Sequence, residues 1–224
     1  MAKQLTESLE DYLETIAELI AEEGHAHTKK IAERLNVRMP SVTSILQQLE
    51  QMNYITYRPR YPVVLTAEGK QAADRVIRRH QVLHKFFLDI LGLPFDKAEE
   101  TACRVEHSIE EEDIERFELL SQALKNRSDA RVLQTYITEA MEFLDLDGGI
   151  RHYITASELK IGEKGIVEKC GRNLEGKEIP GIAPGTELTL LKISLDKTLL
   201  FFQVNGRKQE IPQNIAENIW VKQA

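Results

Sequence analysis

The chain has 224 residues, of which 42% are hydrophobic and 29% charged, and its formal net charge is −7. It lacks an apolar run of about 18 residues that could span a bilayer. The N-terminal stretch MAKQLTESLE is too polar for a secretory signal, and two cysteines, Cys103 and Cys170, are too few for a disulfide scaffold. These features exclude membrane proteins and disulfide-rich secreted domains, and they predict a cytoplasmic protein of two or three units.

The first part of the chain predicts three helices followed by a β-hairpin. The first helix is expected over Glu7–Glu23 and to end at Gly24, a residue suited to a helix C-terminus. Thr28 is expected to cap the short helix KKIAERLN, and Pro40 is tolerated in the first turn of the third helix, RMPSVTSILQQLEQM. YITYRPRYPVVLT predicts two strands joined by a turn at residues 58–60. This order predicts a winged helix-turn-helix at residues 1–70.

The third helix and the hairpin, or wing, carry the candidate DNA contacts. In this fold the third helix enters the major groove, where Ser, Thr and Gln can hydrogen-bond to base edges. Arginines on a wing can reach the backbone or the minor groove. Residues 28–70 hold seven Lys or Arg against three acidic residues, a balance of +4, which disfavours the alternative of a winged helix used for protein contact. The candidates are Arg38, Pro40, Ser41, Thr43, Ser44, Gln47, Gln48, Arg58 and Arg60.

Four more helices are expected over residues 71–149, which we predict to form a helical metal-binding and dimerisation domain. They run from a cap at Thr66 to Gly92, from a cap at Asp96 to Ile109, from a Ser108–Glu111 capping box to Lys125, and from Ala130 to Leu144, before the break at Asp147-Gly148-Gly149. The apolar residues of the first of these helices exceed the surface that one helix needs within its own domain; they are Val82, Phe86, Phe87, Ile90 and Leu91. They predict a homodimer.

The last part of the chain, residues 150–224, changes to β texture from about Ala156. ELKIGEKGIVEKC, GTELTLLKIS and LLFFQVNGRKQEI predict strands, and Asn205-Gly206 is a strong hairpin turn. About five short strands in so few residues suit a small SH3-like β-barrel. The expected fold class is therefore mainly α with a β tail.

Polar clusters on three of the predicted helices indicate a metal site. Residues three or four apart share a helix face, and thiolate, carboxylate and imidazole groups are ligands for first-row divalent cations. Each cluster alone is more simply a solvated face or, for the cysteine, core filling, but three together favour one shared site. The clusters are Asp11 with Glu14, His80 with His84, and Glu99 with Cys103, Glu106 and His107.

An enzyme is disfavoured on the same residues. Cys103 and His107 share one helix face, which leaves neither a separate oxyanion hole nor a third orienting group. The sequence also lacks a glycine-rich phosphate-binding loop.

Several motifs together resemble the diphtheria-toxin-repressor family of metal-dependent regulators. They are EDYLETI, IAERLNVRMPSVTSILQQLE, LTAEGK, RRHQVLHKFF and ACRVEHSIEEEDIERF, and they cover residues 5–120. The tail, from ASELKIGEKGIVEKC through GIAPGTELTLLKI to AENIWVK, is similar to the FeoA-like SH3 domain of many members.

The resemblance implies metal ligands, residue by residue. Those that match the manganese-responsive branch are Asp11, Glu14, His80, Glu106 and His107. Cys103 instead matches the iron-responsive branch, while His84 and Glu99 fall at positions of that branch's ancillary site but differ from it in residue type. The carboxylates favour Mn(II) or Fe(II), whereas a thiolate with imidazoles favours Zn(II). We therefore expect Mn(II) or Fe(II), with Zn(II) or Co(II) as substitutes in vitro.

The predicted function is a homodimeric, metal-activated transcriptional repressor of metal-homeostasis genes. Each winged helix would read one half of a near-palindromic, double-stranded operator. Two alternatives remain open from the sequence, a metal-independent winged-helix regulator and an intracellular metal-buffering protein.

Overall fold

The computed structural model describes residues 5–146, 152–176 and 179–223 and divides the chain into two compact units. The first comprises residues up to Asp89 together with Leu93–Leu119, and the second comprises Ile90–Gly92 and residues from Leu120 onward. Within the described ranges, no helix is both long and apolar enough to cross a membrane. The boundaries predicted at residues 70 and 149 remain predictions.

The winged helix-turn-helix is present in the first unit. Its elements are α1 (Glu7–Glu23), α2 (Thr28–Arg34), α3 (Met39–Gln51), β1 (Ile55–Thr56) and β2 (Val64–Leu65). The two strands pair antiparallel, and an isolated bridge joins Ala26 to Val63. Helix α1 ends as predicted at Gly24, which has φ 78° and donates its N–H to the Ile20 carbonyl. The predicted cap of α2 is wrong, because Thr28 already lies in the helix and His27 precedes it without a side-chain capping bond.

One apolar core holds this winged domain together. Leu13, Ile16, Leu46 and Leu49 are fully buried, because residues three or four apart bring the apolar stripes of α1 and α3 inward. Gly69 allows the first turn of α4 to pack directly against the backbone of Tyr54, the residue before β1. A Cβ at position 69 would lie 1.7 Å from the Tyr54 carbonyl oxygen. The same periodicity leaves the polar face of α1 free for other contacts.

The helices that follow are α4 (Ala67–Asp89), α5 (Phe95–Val105), α6 (Glu111–Asn126) and α7 (Arg131–Leu146), with a 3-10 turn at Glu106–Ser108. Thr66 caps α4 as predicted, its hydroxyl accepting from Gly69 N–H at 3.0 Å. Two other predicted caps are wrong: Asp96 lies inside α5, which begins after Pro94, and Ser108 lies in the 3-10 turn, three residues before α6 begins at Glu111. The predicted break at residues 147–149 lies outside the described residues.

Apolar residues assigned to subunit pairing pack within the first unit. Val82 and Phe87 lie against a small cluster around Leu83, and Phe86 meets Phe117 edge-on with ring centroids 4.9 Å apart. Arg78 of α4 also contacts three carboxylates of α6, those of Glu111, Glu115 and Glu118. The three apolar side chains therefore have a structural role inside the chain, so they give no argument for a dimer.

The second unit contains a six-stranded antiparallel sheet. Its strands are β3 (Tyr153–Thr155), β4 (Lys164–Cys170), β5 (Glu187–Ile193), β6 (Leu199–Val204), β7 (Arg207–Pro212) and β8 (Ile219–Gln223), in the order β3-β8-β4-β5-β6-β7, with the short helix α8 (Gln213–Ala216) before β8. Asn205 and Gly206, at φ 49° and 79°, form the predicted turn between β6 and β7. The sheet begins at Tyr153, slightly earlier than predicted, and confirms the expected β tail.

Helix α7 packs on this sheet around one buried carboxylate. Glu139 is 1% exposed and accepts hydrogen bonds from Trp220 Nε1–H at 2.7 Å and from Arg172 N–H at 2.6 Å. Tyr136 stacks on Trp220 with ring centroids 5.4 Å apart. Gly171 is required beside it, since a Cβ there would lie 2.5 Å from Glu139 Oε2. A carboxylate without these donors would be costly to bury, so they hold α7 on the sheet.

Candidate metal centre and nucleic-acid interface

The predicted ligands meet where the polar face of α1 approaches α4 and the end of α5. His107, whose side chain is 7% exposed, lies between two α1 carboxylates. Its Nδ1 donates to Glu10 Oε2 at 2.8 Å, and its Nε2 lies 2.8 Å from Asp11 Oδ1 and 3.4 Å from Glu106 Oε1. The 3-10 turn after α5 therefore brings His107 against α1.

His80 lies at the centre of the remaining predicted ligands. Its Nδ1 donates to Glu106 Oε2 at 2.8 Å, and its Nε2 lies 3.3 Å from Glu99 Oε2. Glu99 Oε2 is also 3.6 Å from His84 Nε2, one helical turn along α4. The ancillary pair, His84 and Glu99, therefore lies directly beside these ligands rather than at a remote position.

Cys103 completes the group. Its Sγ, one ring nitrogen of His80 and one carboxylate oxygen of Glu106 all lie within 4.8 Å of one another. Glu106 is fully buried, and although Oε2 is bonded to His80, Oε1 has no hydrogen-bond partner among the described residues and only His107 Nε2 near it, at 3.4 Å. A buried carboxylate oxygen without a donor is unfavourable unless a cation satisfies it.

The pKa values show how crowded this cluster is with negative charge. Burial, followed by repulsion from Glu106 and Glu18, raises the pKa of Glu14 to about 7. The hydrogen bond from His80 to Glu106 outweighs burial and raises the pKa of the imidazole to about 9. Desolvation and then the carboxylate of Glu106 raise the pKa of the Cys103 thiol to about 11. Protons on the imidazoles thus balance carboxylates that a metal cation would otherwise neutralise.

These residues fit a first-row divalent cation. Imidazole, thiolate and carboxylate donors converge from three elements, and among the described residues Glu106 Oε1 accepts no hydrogen bond, with only His107 Nε2 nearby at 3.4 Å. Glu14 interacts electrostatically with Glu106, His80 and His107, although no hydrogen bond from it is observed among the described contacts. We name the metal cluster by its six members, Asp11, Glu14, His80, Cys103, Glu106 and His107.

Two residues in contact with this region, Glu10 and Arg79, were not predicted as site residues from the sequence. Arg79 Nη2 donates to Glu10 Oε2 at 2.7 Å, and both side chains are largely buried, at 12% and 17% exposure. The only sequence signal for either residue is that it stands next to a predicted metal ligand, since Glu10 precedes Asp11 and Arg79 precedes His80.

Most of the DNA-binding candidates are exposed on α3 and the wing. Eight of the nine are exposed, and Thr43 is half-buried with its hydroxyl donating to the Met39 carbonyl at 3.1 Å. A groove of about 500 Å³ runs between the start of α2, α3 and the wing, where Lys29, Tyr57 and Arg60 contribute to its lining. Among the residues that line this groove, Lys29 and Tyr61 were not predicted as DNA contacts.

Comparison with known proteins identifies the family. A sequence profile described as "Iron dependent repressor, N-terminal DNA binding domain" matches residues 4–63. A second, described as "Iron dependent repressor, metal binding and dimerisation domain", matches residues 66–139. The chain belongs to the iron-dependent repressor family. Proteins of this family are metal-dependent transcriptional repressors, not enzymes, and this one carries both their DNA-binding and metal-binding domains.

Two individual relatives match somewhat more than half of this chain and most of their own length. The helix-turn-helix regulator MntR of Bacillus pumilus is 36% identical over 129 residues, which is 58% of this chain and 88% of its own length. An uncharacterised helix-turn-helix regulator of Methanocaldococcus jannaschii is 31% identical over 124 residues, 55% of this chain and 99% of its own. The crystal structure of T. acidophilum IdeR is 24% identical with a TM-score of 0.47, covering 99% of this chain and 100% of that one. This last likeness does not add to the assignment.

Proposed function

We propose that this repressor is activated by Mn(II) or Fe(II) held by the metal cluster, with the ancillary pair beside it. The observation that carries the proposal is Glu106, a fully buried carboxylate with one oxygen on His80 and the other without a hydrogen-bond partner in the part of the chain that the structure describes. Three of the six members are carboxylates, which favours these two ions, while the thiol of Cys103 also admits Zn(II). When bound, the cation supplies positive charge that neutralises the carboxylates and joins α1 to α4.

Helix α1 connects the metal cluster to the DNA-binding surface. Its polar face carries Asp11 and Glu14, whereas Leu13 and Ile16 on its other side belong to the same core as α3. Repulsion among the carboxylates of the metal cluster opposes close packing of α1 against α4 when the charge is not balanced. Balancing that charge fixes α1 and, through the shared core, fixes α3 as well. A ligand shifts such an equilibrium only by its preference for the competent state, and a hundredfold shift corresponds to about 2.7 kcal/mol.

The DNA ligand we propose is a near-palindromic operator bound by a homodimer. The description of the second profile as a dimerisation domain supports pairing of two chains, and exposed apolar side chains such as Leu119, at 63%, are available for it. In each chain, the exposed polar residues of α3 would contact bases and the wing arginines the backbone. Repression of this kind would take place in the cytoplasm.

Operator binding with and without metal tests the proposal. A duplex selected from random sequence in the presence of Mn(II) should be shifted by the wild-type protein with Mn(II) and released by a chelator. Glu106→Ala should lose this response while keeping a folded dimer by size-exclusion chromatography. Glu100→Ala is the matched control, because Glu100 lies exposed on α5, the helix just before the turn that holds Glu106, and pairs with Lys97.

The outcomes separate the alternatives. Binding that a chelator leaves unchanged would indicate a metal-independent regulator. Tight Mn(II) binding in a chain that selects no DNA sequence would indicate a metal-buffering protein.

A further inference from the structure

His107 presents its two ring nitrogens to different surroundings. Nε2 faces Asp11 and Glu106, two members of the metal cluster, at 2.8 and 3.4 Å. Nδ1 faces Glu10, which is not a member, at 2.8 Å. The ring therefore has one side toward the candidate metal centre and one side away from it.

One oxygen of Glu10 accepts two hydrogen bonds on the far side. Its Oε2 accepts from His107 Nδ1 and also from Arg79 Nη2 at 2.7 Å. An ionised carboxylate can only accept, so this contact requires a proton on Nδ1. The 2.8 Å contact of Nε2 with Asp11 likewise requires a proton on Nε2, and a metal bound there would take the place of that second proton while the Nδ1 proton stays on Glu10. Arg79 in turn keeps the Glu10 carboxylate in place, because its guanidinium is largely buried against it.

We propose that Glu10 is a positioning residue that orients His107 and holds the proton on Nδ1, leaving Nε2 to bind the metal. This inference rests on the proposed function. A carboxylate on the second nitrogen of a metal-binding histidine fixes the tautomer and the ring orientation and raises the basicity of the ligand. Two adjacent carboxylates of α1 then have separate roles, Asp11 as a ligand and Glu10 as the support of a ligand.

The test compares variants of the full chain in Mn(II) affinity and in the nitrogen spectrum of His107. Glu10→Ala should lower Mn(II) affinity about 10- to 100-fold, the usual effect of removing such a partner. Glu10→Gln should lose less, since its amide oxygen still accepts from Nδ1–H. Glu7→Ala is the matched control, because it removes a carboxylate near Asp11 on the same helix and measures the effect of charge alone.

The spectrum gives a readout that a purely structural role would not change. In the Zn(II)-loaded wild type, long-range ¹H–¹⁵N correlation should show His107 protonated at Nδ1 and coordinated through Nε2. Glu10→Gln should keep this pattern, and Glu10→Ala should lose it. Arg79→Gln should keep it as well, because Glu10 still accepts from the ring.

Three results would overturn the inference. The first is metal coordination of His107 through Nδ1, and the second is an equal loss of Mn(II) affinity in Glu10→Ala and Glu7→Ala. The third is an Arg79→Gln variant that loses as much Mn(II) affinity as Glu10→Ala while the nitrogen spectrum of His107 stays unchanged. The last would mean that Glu10 only attaches α1 to α4. A parallel His107→Ala variant separates this failure from that of the proposed function. If His107→Ala bound Mn(II) like the wild type, the metal cluster itself would be wrong.

Discussion

Cys103 is the residue that most affects which metal the centre selects. Its thiol is the one soft donor in the metal cluster, whose other members offer oxygen or imidazole nitrogen. Cys103→Ser should therefore weaken Zn(II) binding more than Mn(II) binding, and so shift selectivity toward Mn(II). Competition titrations with the two ions measure this shift. Cys170→Ser is the control, since Cys170 lies on β4 in the second unit, and an unchanged ranking for Cys103→Ser would show that its sulfur does not bind metal.

Protons compete with metal at the same atoms, which predicts a pH dependence. The pKa of His80 is raised to about 9, so the ring is protonated at neutral pH and must lose that proton to become a ligand. The pKa of Glu14, near 7, adds proton competition below neutrality. Apparent Mn(II) affinity should thus rise with pH, by about tenfold per pH unit for each proton released.

Calorimetry in two buffers of different ionisation enthalpy counts the released protons. His80→Ala should release about one proton fewer at neutral pH, because its pKa lies well above that pH. Equal proton release from the wild type and this variant would contradict the assignment of His80.

At the scale of the elements, α3 and the wing are expected to contribute differently to DNA binding. Gln47 is exposed on α3, so Gln47→Ala should cost about 1–3 kcal/mol for the operator and little for random DNA. Arg58→Ala should weaken both duplexes alike and reduce the salt slope by about one, as expected for a lost phosphate contact. Binding to two duplexes at several salt concentrations with saturating Mn(II) measures both effects.

Gln51→Ala provides the baseline, since Gln51 is exposed at the far end of the same helix. If Arg58→Ala lost operator binding alone and kept its salt slope, the wing would read sequence. The separate roles assigned to helix and wing would then be wrong.

The elements also show what the sequence could predict and what it could not. Helix α1 and the wing turn were predicted closely, because apolar periodicity and glycine or proline signals act locally. The caps at Asp96 and Ser108 were predicted wrongly. Both are residue types that commonly cap helices, but the residues that stand directly before α5 and α6 are Pro94 and Glu110. The contact of Glu10 with His107 joins residues 97 apart and needs the folded α1 to be visible.

At the scale of the whole molecule, the eight predicted ligands extend from α1 to the 3-10 turn after α5 and lie in one compact unit. Their convergence was predictable only as a coincidence of three helical patterns. The packing of α7 was not predictable, because Glu139 has the pattern of a solvated helix residue and becomes buried only through donors from the sheet. Because Glu139 is a charged residue type, nothing in the sequence indicated that its side chain is buried.

The indole held by Glu139 gives the second unit an optical reporter of its own. Trp220 is the one tryptophan of the chain, and it is 1% exposed. Its emission should therefore be blue-shifted in the native protein and follow the second unit alone, whereas far-UV circular dichroism is dominated by the helices of the first. We expect Glu139→Ala to red-shift the emission and lower the fluorescence midpoint of urea unfolding, with a smaller effect on the dichroism midpoint. Coincident shifts in both signals would instead show that the two units melt as one cooperative body.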